Sequence, residues 1–302
     1  MLNNKFYLDA ENVKKKFIDF YKIYKKRPIL KNNNGVKIEH AFYLYLVIKR
    51  LKPENIIESG VFAGQSTWLI EKFAPKSKVY CFDINFSNLI YKSKNAQYFE
   101  EDLSNYDWST LKNKNKSLIF FDDHVSFYDR LEFSKKNKFK HIVFDDNYPP
   151  KIGDCYSFRK ILNEHDQKYY AYEYFNNLFY AKVKYFIKKI LGIHKFYGNR
   201  EVVFEKNKIK IYDPKRFIKF KKKHKISFYK NKYFYFEFPP LIKFDVFKRW
   251  KKYKYLKTKD FANFKVKSPL FKENYVRKIV NNEDFNEFSE QYNFFCYYRI
   301  KK

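Results

Sequence analysis

The sequence has few cysteines and no long apolar run, and each shortage excludes a class of protein. Three cysteines in 302 residues, none in CxxC spacing, exclude a disulfide scaffold or a zinc ribbon and favour a reducing compartment. The longest apolar run, residues 41–48, is far shorter than the roughly 20 residues that span a bilayer. The first residues also lack the apolar stretch of a signal peptide. We therefore expect a cytoplasmic protein without a transmembrane segment.

Acidic residues and arginine are also scarce. The chain has 33 Asp+Glu against 64 Lys+Arg, a formal net charge of +31, yet only nine of the basic residues are arginine. Arginine is the residue whose planar group best reads bases and phosphates. Lysine, phenylalanine and tyrosine are abundant together and share A/T-rich codons, which explains much of the charge. The charge alone is therefore a weak argument for a nucleic-acid partner.

The charge is distributed unevenly. Residues 51–150 hold 14 basic and 14 acidic residues, whereas residues 151–302 carry a net charge of +23. Codon bias should act on every segment alike, so the neutral segment indicates a local constraint. The basic half suits a single-stranded nucleic-acid groove, an anionic saccharide, a peripheral membrane contact, a cap over the site, or simply a solvated surface.

Short apolar runs that end in an acid alternate with amphipathic segments in the neutral region. The predicted strands are 55–58, 78–83, 97–100, 117–122 and 141–145, and the predicted helices are 65–73, 86–92, 127–137 and 155–163. Near-continuous apolar strands that alternate with helices are typical of a parallel sheet covered on both faces. Such sheets bind ligands at the carboxyl ends of their strands. The pattern predicts an α/β fold.

The flanking regions are less regular. We predict helices at 13–24 and 38–51, and a further helix at 177–192. A hairpin is predicted within 200–213, a strand at 233–238, and a terminal strand at 293–300 that returns to the sheet.

A glycine turn follows the first predicted strand, in the sequence ESGVFAG from Glu58 to Gly64. A phosphate-binding P-loop requires Gly-Lys-Ser/Thr, and here Gly64 is followed by Gln65. A dinucleotide fold needs a small residue where Val61 and Phe62 stand. S-adenosylmethionine (SAM) carries a cationic sulfonium and no phosphate, so it tolerates bulk in the turn and favours nearby acids.

This E-x-G-x-x-x-G pattern resembles motif I of class I SAM-dependent methyltransferases. The resemblance implies a Rossmann-like, doubly wound, mostly parallel sheet. It also implies that Asp83 accepts hydrogen bonds from the ribose hydroxyls and that Asp102 meets the adenine amino group. The alternative is that each acid caps the next helix. The predicted cofactor-binding residues are Glu58, Gly60, Gly64, Ser66, Asp83, Asp102 and Asp122.

Two aspartate pairs follow the fourth and fifth predicted strands, Asp122-Asp123 and Asp145-Asp146. Adjacent carboxylates repel, so such pairs need a cation, hydrogen-bond donors or a shifted pKa. Mg²⁺ bound there could orient a diol while a nearby Asp or His takes a proton. The alternatives are an Asx turn at the second pair and a helix cap at the first.

The runs FFDDH and FDDNY are similar to a pattern of metal-dependent sugar O-methyltransferases, the macrocin O-methyltransferase and cephalosporin-hydroxylase-like group. The resemblance covers residues 55–150. It implies a Mg²⁺ site from Asp122 or Asp123 with Asp145 and Asp146. A D-x-D motif would place its first Asp at Phe121, so the choice within the first pair stays open. The predicted catalytic bases are Asp123 and His124; the predicted metal ligands are Asp122, Asp145 and Asp146; further pocket residues are Asp154, Tyr156 and Glu237.

These patterns predict four segments: a helical segment at 1–52, a SAM-binding core at 53–175, a basic cap at 176–290 and a returning strand at 291–302. The predicted activity is SAM-dependent O-methylation of a small-molecule hydroxyl, on a sugar or other polyol. An RNA methyltransferase and a non-catalytic binding protein are the alternatives. The base-clamping Asn/Asp-Pro-Pro-Tyr motif is absent from the sequence. The oligomeric state is not predicted.

Overall fold

The computed structural model describes residues 10–32, 35–125, 127–148, 157–159, 203–205, 208–210, 233–243, 268–290 and 294–300. Within these residues seven strands form one sheet and two more form a separate pair. The strands in chain order are β1 Asn55–Ser59, β2 Lys78–Phe82, β3 Ala96–Phe99, β4 Ser117–Phe121, β5 His141–Phe144, β6 Val203–Glu205, β7 Lys208–Lys210, β8 Tyr233–Glu237 and β9 Cys296–Ile300.

The strand order in the main sheet is β3-β2-β1-β4-β5-β9-β8. Strands β1 to β5 are parallel, and β9 lies antiparallel between β5 and β8. The predicted Rossmann-like, doubly wound sheet is confirmed, as is the terminal strand that returns to it. The order reverses between β1 and β4, and in open α/β sheets the crevice at such a reversal binds ligands.

Helices cover both faces of this sheet. They are α1 Ala10–Tyr24, α2 Ile38–Leu51, α3 Gln65–Phe73, α4 Phe127–Lys136, α5 Glu273–Arg277 and α6 Asn282–Glu290. Residues 38–48 of α2 are all buried. Neighbouring strand residues point to opposite faces, so Ile56 packs in the cluster that holds α2, whereas Ile57 packs with Trp108 and α4.

The helix predicted at 86–92 is wrong. The segment between β2 and β3 forms turns and irregular backbone. The backbone N–H groups of Ile90 and Tyr91 donate to the carbonyl of Ala63 at 3.1 and 3.0 Å, and Asn85 accepts from the N–H of Ser87 at 2.7 Å through its side chain. These bonds use donors that a helix would need, and they fasten the segment to the glycine turn.

The amino-terminal helices are joined to α6 by a buried polar network. The Arg27 guanidinium pairs with Asp284 and, at 3.0 Å, with Glu287. The Tyr21 hydroxyl donates to Asp284 at 2.9 Å, and the Tyr24 hydroxyl donates to Glu287 at 2.6 Å. A buried arginine is tolerated because carboxylates compensate its charge. These bonds fasten α1 to α6, which lies more than 250 positions later in the sequence.

Several expectations fall outside the described residues. The predicted helix at 177–192, most of that at 155–163, and the pocket residues Asp154 and Tyr156 lie there. The hairpin and the strand at 233–238 are confirmed as β6–β7 and β8. The division into four segments remains a prediction, and β8, within 176–290, is a strand of the main sheet. Among the described helices, none combines the length and apolarity needed to cross a membrane.

Candidate active site

The loops that follow β1, β4 and β5 lie side by side where the strand order reverses. The N–H of Asp122 donates to the carbonyl of Ser59 at 2.8 Å, and the N–H of Asp145 donates to the carbonyl of Phe121 at 3.0 Å. These bonds continue the sheet ladder one step past the strand ends. They bring the glycine turn and both aspartate pairs to one edge, which we call the carboxyl edge.

Both glycines of the turn are required by geometry. Gly60 has φ of +90°, and a Cβ there would lie 2.1 Å from the carbonyl oxygen of Asp122. Gly64 has φ of +87°, and a Cβ would lie 2.1 Å from the carbonyl oxygen of Tyr91. Such contacts leave no room for a side chain. Between them Phe62 has φ of 48°, which a bulky residue rarely adopts, so the turn carries local backbone strain at this residue.

Asp83 follows β2 and faces this turn. Its Oδ2 accepts from the N–H of Val61 at 2.8 Å and of Phe62 at 3.1 Å. Its Oδ1 accepts from the N–H of Asn85 at 3.2 Å. The turn amides that would meet a phosphate in a dinucleotide fold therefore already have a carboxylate partner.

Glu58 lies inside β1, fully buried beneath the start of α3. Its Oε2 accepts from the Thr67 hydroxyl at 2.5 Å and the Cys81 thiol at 3.3 Å. Burial raises the pKa of Glu58 to about 7, against lowering by hydrogen bonds from Ser66, Thr67 and Cys81. Glu58 therefore contacts α3 and β2, and Ser66 is buried next to it.

Gln65, at the start of α3, has a buried side-chain amide without hydrogen bonds to the described residues. Its side chain is 2% exposed, and neither amide atom has a hydrogen-bond partner among the described residues. A buried, unsatisfied amide costs on the order of 1–3 kcal/mol. Groups of this kind are common where a ligand or water completes the hydrogen bonding.

Arg130 of α4 joins two of the predicted site residues. Its guanidinium is bidentate to Asp102, at 3.0 and 2.6 Å, and its Nε lies 2.8 Å from Asp123. Asp102 is buried in part, which raises its pKa, but Arg130 outweighs this and lowers the value to about 2. Asp123 also accepts from the Ser59 hydroxyl at 2.5 Å. Because the Arg130 guanidinium and the Ser59 hydroxyl both hold Asp123 Oδ2 in place, Asp123 is a poor candidate for proton removal from an acceptor.

Asp122 has the opposite environment. Among the described residues no group donates a hydrogen bond to its carboxylate, although its backbone N–H is bonded. Burial raises the pKa of Asp122 well above its ordinary value, and the carboxylates of Asp145 and Asp146 raise it further. A cation near Asp122 would relieve this repulsion.

His124 and Asp146 complete a cluster with Asp122. One possible ligand atom from each of the three residues lies within 4.8 Å of the others. His124 Nδ1 is 3.1 Å from Asp146 Oδ2, and the imidazole is about half exposed. Two carboxylates and an imidazole suit a divalent cation, and the imidazole makes Mn²⁺ as suitable as Mg²⁺. Of the predicted ligands, the structure brings together Asp122 and Asp146.

Asp145 has a different neighbour. Its Oδ1 lies 2.7 Å from Nδ1 of His40, which is buried in α2. Burial lowers the pKa of His40, but Asp145 outweighs this and the net shift is upward. Nevertheless His40 Nε2 accepts from the backbone N–H of Phe294 at 3.2 Å, which requires Nε2 to be unprotonated. We therefore assign a neutral imidazole that donates from Nδ1 to Asp145.

A polar network borders the second aspartate pair on its other side. Arg159 is bidentate to Glu237 at 3.0 and 2.6 Å. The Asn147 side chain donates to the Tyr235 hydroxyl at 2.7 Å and accepts from the N–H of Arg159 at 3.1 Å. Glu237, predicted as a pocket residue, thus contacts Arg159. A shallow pocket beside the cluster is lined by Phe121, Asp123, His124, Val125, Phe127, Phe144, Asp146 and Ser157.

No family model matches the chain, and no curated protein matches it. Solved structures that resemble it include CmcI with Mg-SAM, at 18% identity, covering 34% of this chain and 50% of that one, with a TM-score of 0.28. A second CmcI structure, with SAH, is covered over 59% of its length. The chain thus spans between half and three fifths of these two proteins.

Two further solved structures that resemble the chain come from Bacillus cereus and Podospora anserina. An O-methyltransferase from Bacillus cereus in complex with SAH is 17% identical over 43% of this chain and 66% of that one, with a TM-score of 0.29. An SAH-bound methyltransferase from Podospora anserina is 16% identical over 68% of this chain and 88% of that one, with a TM-score of 0.34. At these values none of the likenesses establishes a family or an activity.

Proposed function

We propose that the chain is a SAM-dependent methyltransferase that methylates a hydroxyl group of a small molecule, a sugar or other polyol. The observation that supports SAM over a phosphate-bearing nucleotide is the contact of Asp83 with the amides of Val61 and Phe62. A pyrophosphate would need those donors and would be repelled by the carboxylate. A sulfonium compound needs neither and is favoured by neighbouring acids.

The residues around the turn fit such a cofactor. Gly60 allows the turn to pass close to the backbone of Asp122, Asp83 faces the turn with its carboxylate, and Gln65 offers an amide without a partner among the described residues. Bound there, SAM would supply an electrophilic methyl group. Both carboxylate oxygens of Asp102 already accept hydrogen bonds from Arg130. Asp102 can therefore accept a hydrogen bond from the adenine amino group only through an oxygen that also binds the guanidinium.

His124 is the proposed base. A proton on Nδ1 would face Asp146 Oδ2, at 3.1 Å, and leave Nε2 to take a proton from the acceptor hydroxyl. The aromatic walls of the adjacent pocket, Phe121, Phe127 and Phe144, exclude water from one side of this position.

The cluster of Asp122, His124 and Asp146 also fits a divalent cation. The carboxylates of Asp145 and Asp146 repel that of Asp122, and a cation would offset this repulsion. A cation held there would supply Lewis acidity toward the acceptor hydroxyl. His124 then acts as a ligand and not as the base. The two roles predict opposite responses to a chelator: activity through His124 alone survives EDTA, whereas cation-assisted activity is lost.

Thermal unfolding with ligands tests the cofactor assignment. At 100 times the dissociation constant, SAM or S-adenosylhomocysteine should stabilise the protein by about 2.7 kcal/mol, a shift of a few degrees in Tm. ATP is the matched control, since it carries adenosine with phosphates and should give no shift. Gly60→Val should abolish the response, because the side chain would strike the Asp122 carbonyl.

Stabilisation by ATP equal to that by SAM would contradict the proposal, as would no response to SAM or S-adenosylhomocysteine. Incubation with methyl-labelled SAM then separates an enzyme from a binding protein, and polyol from RNA acceptors. Binding without any transfer would favour the non-catalytic alternative.

A further inference from the structure

His40 reaches the carboxyl edge from α2, outside the segment predicted as the SAM-binding core. Its side chain is buried and bonded at both nitrogens: Nδ1 to Asp145 Oδ1 at 2.7 Å, and Nε2 to the N–H of Phe294 at 3.2 Å. A buried imidazole with both nitrogens bonded has a single orientation. It therefore fixes the positions of the two groups that it joins.

The two residues that flank Asp146 in the sequence, Asp145 and Asn147, are both held by contacts that involve His40 or its partner Phe294. Asp145, which precedes it, is bonded to His40 directly. Asn147, which follows it, donates its N–H at 3.0 Å to the carbonyl of Phe294, the residue whose own N–H binds His40. Asp146 thus lies between two anchored neighbours, with its Oδ2 3.1 Å from His124 Nδ1.

We propose that His40 is a positioning residue, which holds the run 145–147 so that the Asp146 carboxylate faces His124 and Asp122. Its importance for catalysis rests on the proposed function, but the positioning itself does not. Carboxylates and main-chain groups that orient a ligand residue in this way typically change metal affinity 10–100-fold when lost. A buried polar residue with no such role would change only stability.

His141 provides the matched control. It lies on β5 itself, at the amino end of the strand, where its Nδ1 is bonded to the Tyr297 hydroxyl at 2.6 Å. Loss of His40 removes two buried hydrogen bonds from the β5–β9 region, and loss of His141 removes one that is partly buried. Only loss of His40 should disturb the carboxyl edge.

Imidazole ¹H–¹⁵N spectra of the full chain at pH 8 test the positioning without cofactor or metal. We expect His40 to carry its proton on Nδ1. The His124 signals should move in His40→Leu, stay in place in His141→Leu, and return towards their original positions in His40→Asn, whose amide still donates to Asp145. A proton on Nε2 of His40, or unchanged His124 signals in His40→Leu, would overturn the proposal.

Calorimetric titration with Mn²⁺ provides the second measurement. His40→Leu should weaken Mn²⁺ binding tenfold or more, His40→Asn by less than threefold, and His141→Leu not at all, with the SAM dissociation constant unchanged throughout. Equal weakening in His40→Leu and His141→Leu would overturn the proposal. If the unaltered chain binds no Mn²⁺, the metal part of the proposed function fails, while the spectra still decide the role of His40.

Discussion

The two aspartate pairs at the carboxyl edge have the same sequence but different partners. Asp123 of the first pair is bound by Arg130, and Asp145 of the second is bound by His40. The remaining members, Asp122 and Asp146, lie in the cluster with His124. Each pair therefore has one member held by a basic side chain and one member in the cluster with His124.

Strand alternation does not explain this division. Phe121 lies opposite Phe144 in the sheet, so regular alternation would place Asp122 beside Asp145, whereas the loops past the strand ends bring Asp122 together with Asp146. The partners differ in kind: arginine is permanently charged, whereas His40 donates as a neutral ring. The positive charge of Arg130 offsets one carboxylate of the first pair. The neutral His40 brings no positive charge to the second pair, whose carboxylates lie close to Asp122.

Of the changes considered, removal of Arg130 should lower the free energy of unfolding the most. Arg130→Met leaves Asp102 and Asp123 without their cation, and loss of one partner from a buried ion pair typically costs 3–5 kcal/mol. The free energy of unfolding in urea measures this. The control is Lys22→Met, because Lys22 is exposed and pairs with Asp19 within α1, so its loss should cost about 0.5 kcal/mol or less. A cost below about 1 kcal/mol for Arg130→Met would contradict a structural role for the guanidinium.

Acid should weaken the same arrangement. The pKa of Asp102 is about 2 in the folded protein and about 4 when unfolded. A lowered pKa contributes stability above the unfolded value, and this is lost as the pH falls from about 4 to about 2. The contribution is on the order of 2 kcal/mol.

Urea midpoints measured between pH 5 and pH 2 test this window. Asp102→Asn has no carboxyl to protonate, so it should lose less stability than the unaltered chain over that range. Parallel pH profiles for the two proteins would show that the Arg130 pair does not govern acid stability.

Neutralisation of Asp122 should have the smallest effect and the opposite sign. A raised pKa means that ionisation is disfavoured in the folded protein, so stability is highest below the unfolded pKa and falls as the pH rises through the folded one. Without a cation, Asp122→Asn should therefore raise Tm at pH 8 by a few degrees. It should also abolish any stabilisation by Mn²⁺.

Asp19→Asn serves as the control, because this carboxylate of α1 is exposed and pairs with Lys22 of the same helix. It should leave Tm at pH 8 almost unchanged. A lower Tm for Asp122→Asn in EDTA would mean that Asp122 stabilises the fold, and the contrast between the pairs would fail.

The sheet could be predicted from the sequence because its information is local. Apolar strands, the glycine turn and the helices Ile38–Leu51 and Gln65–Phe73 are each specified by adjacent residues, and both helices have the predicted bounds. The segment 86–92 has helical spacing as well, but hydrogen bonds to Ala63 outcompete the helix. Such a bond depends on a residue more than twenty positions away.

The partners of the aspartates could not be predicted for the same reason. Arg130 lies 28 positions from Asp102, and His40 lies 105 positions from Asp145. The sequence Asp-Asp alone does not distinguish Asp122 from Asp123. They differ because α4 places Arg130 next to Asp123. The roles of the individual site residues, and a metal site in particular, remain predictions.

The buried network around Arg27 has a consequence for biosynthesis. Its partner Asp284 is made 257 residues later. At about 5–20 residues per second, the ribosome needs on the order of ten to fifty seconds to cover that distance. Throughout this interval the newly emerged α1 lacks its carboxylate partners, and chaperones can reach surfaces that the finished molecule conceals. Completion of the helical layer therefore waits until α6 has been synthesised.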